Sequence, residues 1–292
     1  MNYSEVPNVI VTGGCGFIGS HLVERLLYEG FVVTVIDDQR SGRTVINHPN
    51  VKYHFCDVVK FNPYVSNVQP PTAIFHMANS PRVRRSLDYP TETIANNVVT
   101  TAVVSDWARV MNCRLFFATS SSTNYKESKN PYTWSKSVCE DLLELYKETY
   151  GLVYTKLFFY NVYGPREADY GEYSTVVRKF KMDYLAGNPL TVYGTGKKER
   201  DFTHVFDVVQ GLMQLLVDER DLQEVHLGKG YPVTINSIAE CFPCTVINAF
   251  DRPGEAQRTF CETPYIECPT DVHAYIRHWI KENPIDHANR EQ

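Results

Sequence analysis

The sequence predicts an α/β fold, a doubly wound parallel sheet followed by a smaller C-terminal unit, on three observations. Short β-branched and aromatic runs alternate with helical patterns as far as residue 160. A glycine-rich turn separates the first such run from the first helix. From residue 161 the alternation breaks down and Gly and Pro become frequent. The units are therefore set at residues 1–160 and 161–292, with some segments of the second returning to the first.

In order, NVIVT at 8–12 reads as a strand, and FIGSHLVERLLYEG after it carries apolar residues at helical spacing. FVVTVIDD at 31–38 is a second strand that ends in two carboxylates, and VKYHF, AIFHM and RLFFA are three more. Residues 91–111 form one helix. A Ser/Thr-rich loop leads to a helix from about Tyr132 to Tyr150, with Val138, Leu142, Leu145 and Tyr146 on one stripe, and VYTKLFF is the sixth strand. Strands joined by helices require crossovers, hence a parallel sheet covered on both faces. Further helices are expected at roughly 173–186, 205–219 and 271–281.

Composition narrows the function. The chain has 292 residues, 43% of them apolar, which is enough for a substantial core. With 29 basic and 34 acidic residues its net charge is −5, so no global positive field exists to hold nucleic acid or an anionic membrane. The longest apolar runs, FVVTVI and LFFA, fall far short of the ~20 residues a spanning helix needs. The start MNYSEVPNVIVTG has no basic leader region, and eight irregularly spaced cysteines read as reduced thiols. A cytoplasmic protein is expected. Cys241-x-x-Cys244 has no second pair at zinc-ribbon spacing, and the nine histidines show no ligand pattern, so no metal is expected.

Thr12-Gly13-Gly14-Cys15-Gly16-Phe17-Ile18-Gly19 lies between strand and helix, the context of a dinucleotide-binding turn. Gly13 permits the turn, Gly16 removes a side chain where pyrophosphate approaches, and Gly19 lets helix and strand pack closely. The helix N-terminus offers free amides to phosphate. Asp37 follows 18 residues after Gly19, placed to accept hydrogen bonds from ribose hydroxyls and to repel a 2′-phosphate, so the cofactor is read as NAD.

Tyr132 and Lys136, in Asn130-Pro131-Tyr132-Thr133-Trp134-Ser135-Lys136, are four residues apart and project from one helix face. A nearby ammonium favours the phenolate, which makes Tyr132 a candidate general base. Upstream, Thr119-Ser120-Ser121-Ser122-Thr123 follows the fifth strand, at the carboxyl end of the sheet where ligands of such folds collect.

With TGGCGFIG, VIDD, FHMA, SSSTNY, PYTWSK, YNVYGPRE, LTVYGTGKKERDFTHVFDV and RPGEA in this order, the chain resembles the extended short-chain dehydrogenase/reductases that epimerise or dehydrate nucleotide sugars. The likeness runs from about residue 7 to 258 and implies a Rossmann-like NAD domain at 1–160 and a mainly nucleotide-sugar-binding domain after it. By resemblance Tyr132, Lys136 and Ser121 are the catalytic set, with Ser122 the second choice for the hydroxyl. Gly13, Gly16, Phe17, Ile18, Gly19, Asp37, Asp38 and Tyr160 are expected at the cofactor. Asp57 and Val58 would meet its adenine, Met77 and Ala78 would line it, and Asn96 or Asn97 would hold the segment beside it.

For the substrate, the resemblance assigns Asn161, Arg200 and Arg252 to a UDP pyrophosphate, Glu255 to the ribose and Tyr193 to uracil. A net-negative protein needs discrete arginines to hold a diphosphate. Arg84 could face a uronate carboxylate, or belong to a solvated basic loop. The family's dehydratases carry an Asp-Glu pair just after the catalytic hydroxyl. Here those places are Ser122 and Thr123, which favours a UDP-sugar 4-epimerase working through a 4-keto intermediate. A decarboxylase, 4,6-dehydratase or reductase, or a non-catalytic binder of NAD or nucleotide sugar, stays open. The interval from Ser121 to Tyr132 is 11 residues, half the family's usual spacing, so a loop over the sugar is shortened. A homodimer through the helices at 91–111 and 132–150 is also expected by resemblance.

Overall fold

The structure, a computed structural model, describes residues 7–66, 68–81, 83–124, 130–168, 174–251 and 255–285. Its main body is built from β1 (Asn8–Thr12), α1 (Phe17–Tyr28), β2 (Val32–Asp37), β3 (Val51–Phe55), β4 (Ala73–His76), α2 (Val83–Asp88), α3 (Pro90–Met111), β5 (Arg114–Ala118), α4 (Pro131–Tyr150) and β6 (Tyr154–Phe159). These are followed by α5 (Val176–Ala186), β7 (Leu190–Tyr193), β8 (Glu199–Asp201), α6 (Val205–Val217), β9 (Glu224–Leu227), β10 (Pro232–Thr234), α7 (Ile235–Ala239), β11 (Val246–Ala249), β12 (Arg258–Thr259) and α8 (Val272–Glu282). Seven strands form one sheet in the order β3-β2-β1-β4-β5-β6-β9, with every pair parallel. The order reverses between β1 and β4, which opens a crevice at the carboxyl ends of the strands.

Period-two alternation sorts the strand residues between two cores. Val9, Val11, Phe75 and Phe116 face a cluster completed by Leu22, Leu26, Val208 and Leu212 of α1 and α6. Ile10, Ile74, Leu115 and Phe117 face the opposite cluster, completed by Val104, Trp107, Cys139 and Leu143 of α3 and α4. A separate cluster of Tyr163, Phe180, Tyr184, Val192, Phe202, Phe242 and Ile276 joins α5, β7, α7 and α8. β9 lies far along the chain, yet it pairs with β6 as the last strand of the large sheet. No helix among the described residues is long and apolar enough to cross a membrane.

Several helix starts are set by side-chain caps. Asn130 accepts a hydrogen bond from Thr133 N at 2.9 Å with Pro131 at the first turn, which fixes α4 and places Tyr132 in that turn. Thr175 caps α5 from Arg178 N at 3.1 Å, so the helix begins at Val176 rather than near 173. α2 was not expected: VRRSLD has too few apolar residues to show a period.

Phe75 and Phe116 stack at 4.6 Å between ring centroids, both fully buried at the centre of the sheet. Phe116→Ala is expected to cost about 3–5 kcal/mol, read as a fall in the urea midpoint at unchanged slope.

Candidate active site

A cleft of about 550 Å3 runs along the carboxyl ends of the sheet strands and continues to α5, β7 and β8. One end is the glycine turn. Gly13 has φ +74°, and a Cβ there would stand 2.7 Å from Ala78 N, so the 77–78 backbone closes directly on the turn. A Cβ on Gly19 would stand 2.1 Å from Gly13 O. Gly16 is the N-cap of α1 and offers no side chain to it, while Phe17 and Ile18 of the first turn line the cleft. That leaves a bare helix N-terminus facing the cavity, the arrangement a pyrophosphate requires.

Asp37 lines the same end. Its carboxylate accepts from Cys15 N at 2.9 Å and Gln39 N at 2.6 Å, and burial raises its pKa against those bonds. Asp38, Asp57, Val58, Met77, Ala78 and Asn96 complete this end. Asn96 donates to Ser80 Oγ at 3.2 Å, and Asn97 Oδ1 accepts from Ser80 N at 2.7 Å, so both asparagines hold the segment beside the cleft.

Ser121, Tyr132 and Lys136 come together at the middle of the cleft, all three buried, with Ser122 beside them. Lys136 is only 2% exposed; its Nζ donates to Ala118 O at 2.6 Å and lies 4.7 Å from the Phe117 ring centroid. Burial pushes its pKa down to about 8. Tyr132 and Lys136 can thus hold and release a proton at a site sheltered from water.

At the far end Asn161, Tyr193, Arg200 and Glu255 line the cleft, and Arg84 stands at the rim, 64% exposed and 3.2 Å from Asp88. Arg200 donates to Glu199 O and Ala256 O, each at 2.8 Å, and lies 3.8 Å from Glu255. Asp201 does not pair with it on the surface. It is fully buried and accepts from the amides of Lys229, Gly230 and Cys261 at 3.1, 2.8 and 3.0 Å. Tyr125 and Arg252 lie outside the described residues.

One expected cofactor residue is displaced. Tyr160 does not line the cleft: β6 ends at Phe159, and Tyr160 falls on the side of Phe158, with which it packs against Cys261. Tyr160 turns the other way, 2% exposed, with its hydroxyl 2.8 Å from His226 Nδ1. Two cations were missed. Arg40 reaches the cofactor end through Asp38 at 2.6 Å, with Asp57 and Glu92 each at 3.4 Å. Lys198 lines the substrate end, 2.5 Å from Asp251 and 3.4 Å from Glu255. The extended spacing of Lys198 and Arg200, two residues apart, was the available signal.

A glycine turn, an uncapped helix start, an acid at the end of the second strand and a buried Tyr–Lys pair in one cleft define an NAD-dependent enzyme of the short-chain dehydrogenase/reductase type. Residues 9–228 match the NAD dependent epimerase/dehydratase family, to which the chain belongs. UDP-glucose 4-epimerase of Mycolicibacterium smegmatis is 33% identical over 225 residues, 70% of this chain and 72% of that one. UDP-N-acetyl-alpha-D-glucosaminuronate decarboxylase of Bacillus cytotoxicus is 28% identical over 251 residues, 79% of this chain and 78% of that one. The structure of Thermus thermophilus UDP-glucose 4-epimerase in complex with NAD matches with a TM-score of 0.82 at 28% identity, covering 92% of this chain and 96% of that one.

The depressed Lys136 pKa has a sign in stability. The unfolded chain keeps that proton up to its ordinary pKa, whereas the folded chain sheds it near 8, so burial penalises the native state below pH 8 and the penalty is relieved as pH rises toward 10.5. Lys136→Met is expected to melt above wild type at pH 7 and to lose part of that lead at pH 9.5, by thermal denaturation followed with circular dichroism.

Proposed function

We propose that the chain is a UDP-sugar 4-epimerase. The observation that carries this reading is the placement of Ser121, Tyr132 and Lys136 in one cleft whose acidic described lining residues are Asp37, Asp38 and Asp57 at one end and Glu255 at the other. When bound, NAD supplies reversible acceptance of the hydride from the sugar's C4. Tyr132 takes the proton of the 4-hydroxyl and later returns it, and the buried Lys136 ammonium stabilises the phenolate. Ser121 hydrogen-bonds the reacting oxygen. The 4-keto sugar turns over within the cleft, held by its nucleotide. Asn161, Arg200 and Arg252 are assigned to the diphosphate, Glu255 to the ribose and Tyr193 to the base.

Ser122 and Thr123 stand where elimination chemistry needs carboxylates, which supports the hydride cycle over dehydration. A second reading, decarboxylation of a UDP-uronate, is favoured by Arg84 at the cleft rim and by the relatedness to a decarboxylase. Homodimerisation and cytoplasmic residence belong to the proposal. Exposed Val99, Val110, Leu145 and Tyr150 on α3 and α4 support the first, and eight unpaired cysteines support the second.

Incubation with UDP-glucose, UDP-N-acetylglucosamine, UDP-glucuronate and UDP-xylose, followed by proton NMR, tests the reaction. An inverted C4 centre is expected; release of CO2 would replace the epimerase with the decarboxylase. Tyr132→Phe is expected to lower turnover by at least ~10³-fold with UDP affinity within about twofold of wild type, measured by calorimetry.

A further inference from the structure

α4 carries a carboxylate that the proposed reaction does not use. Glu140 lies one turn beyond Lys136 and two beyond Tyr132, so the three share a helix face, yet Glu140 does not line the cleft. Its Oε1 accepts a short hydrogen bond from Thr119 Oγ1, just past the end of β5. The Thr123 hydroxyl donates to Ser120 O at 2.8 Å, which closes the serine turn on itself. Thr119 opens the serine turn that carries Ser121, so the carboxylate ties that turn to the helix that bears the tyrosine and lysine. The charged groups facing it are Lys136 on its own helix and Lys156 of β6, which also pairs with Glu224.

We propose that Glu140 is a positioning residue that holds Ser121 in register with Tyr132 and keeps the buried Lys136 ammonium charged. The inference rests on reading Ser121, Tyr132 and Lys136 as the reacting groups. Burial raises the Glu140 pKa, while the Thr119 hydrogen bond and the Lys156 and Lys136 charges oppose that rise.

Two variants separate the roles. Glu140→Gln keeps the size and an acceptor for Thr119 but removes the charge; Thr119→Val removes the tie and leaves the charge. The first readout is the titration of Lys136 Nζ by NMR on lysine-labelled protein, assigned with Lys136→Met, which needs no turnover. In Glu140→Gln the midpoint is expected to fall by about one pH unit. The second is the pH profile of kcat and KM on whichever UDP-sugar wild type converts. With the Lys136 midpoint near 8 in wild type, Glu140→Gln should lose about twofold in kcat at pH 7, widening to about tenfold at pH 9 and closing at lower pH, with KM within about twofold. Thr119→Val should lose kcat at all pH values without moving the Lys136 titration.

An unmoved Lys136 midpoint in Glu140→Gln overturns the electrostatic role, and wild-type kcat in Thr119→Val overturns the positional one. Should Glu140→Gln not fold, Thr119→Val still decides the positional role, and Glu140→Asp, whose shorter side chain withdraws the charge from Lys136, decides the other by the same titration. If wild type converts no UDP-sugar, the functional reading falls while the Lys136 titration still decides the charge coupling.

Discussion

The burial of the Lys136 ammonium is the constraint around which the centre of the molecule is arranged. An isolated ammonium in a protein interior costs several kcal/mol, so it persists only where carbonyls, ring faces and carboxylates replace its water. Here the Ala118 carbonyl and the Phe117 ring come from β5, and Glu140 comes from the next turn of α4. Solvating that charge therefore sets the height at which α4 crosses the end of β5. Tyr132, one turn earlier on the same face, is carried to the cleft with it. The incomplete offset remains visible in the lowered lysine pKa.

A second polar connection makes the cofactor end and the reacting end one unit. Thr12 Oγ1 accepts from Ala78 N at 3.3 Å, and because Thr101 gives its own proton to Asn97 O, His76 carries its ring proton on Nε2 and its Nδ1 accepts from Thr12 at 2.7 Å. That leaves the His76 Nε2 proton for Thr101, 3.4 Å away, and Thr101 donates to Asn97 O at 2.7 Å. Asn97 donates to Ser135 Oγ at 2.9 Å, and Ser135 to Tyr132 O at 2.7 Å. Every bond in this chain points the same way only if His76 is neutral. Burial and the nearby Lys136 charge drive its pKa to about 3, which keeps it so. A buried network of this kind is rigid because each member is satisfied by its neighbours.

What was legible in the sequence was what local chemistry fixes. The two-sided sheet followed from alternation such as Val9 and Val11 against Ile10, and the phosphate turn from glycines in contiguous order. Tyr132 and Lys136 were legible because four residues is one helical turn. Residues that act through distant partners were not. Lys198 takes its place from Asp251 far along the chain, and Arg40, held locally by Asp38, also reaches Asp57 and Glu92, so the local pattern says little of where either cation lies. Tyr160 was misplaced because its motif is contiguous in sequence while the fold packs Tyr160 with Phe158 and Cys261, away from the cleft that Phe159 and Asn161 line. Glu140 was unread for a related reason: its meaning depends on where the serine turn packs.

The placement of acids bears on the reaction as much as the placement of the tyrosine. Eliminating water or losing a carboxylate needs a proton donor or acceptor beside the sugar that works near neutral pH. Ser122 and Thr123 are poor at that task, being hydroxyls with no ready charge state. Glu140 does not line the cleft and is committed to Thr119. Among the described residues, the carboxylates that do reach the cleft are taken up elsewhere, Asp37 by two backbone amides, Asp38 and Asp57 by Arg40, and Glu255 by Lys198. Among the described residues the phenol and the ammonium are the titratable groups at the centre of the cleft, in keeping with the proposed hydride cycle.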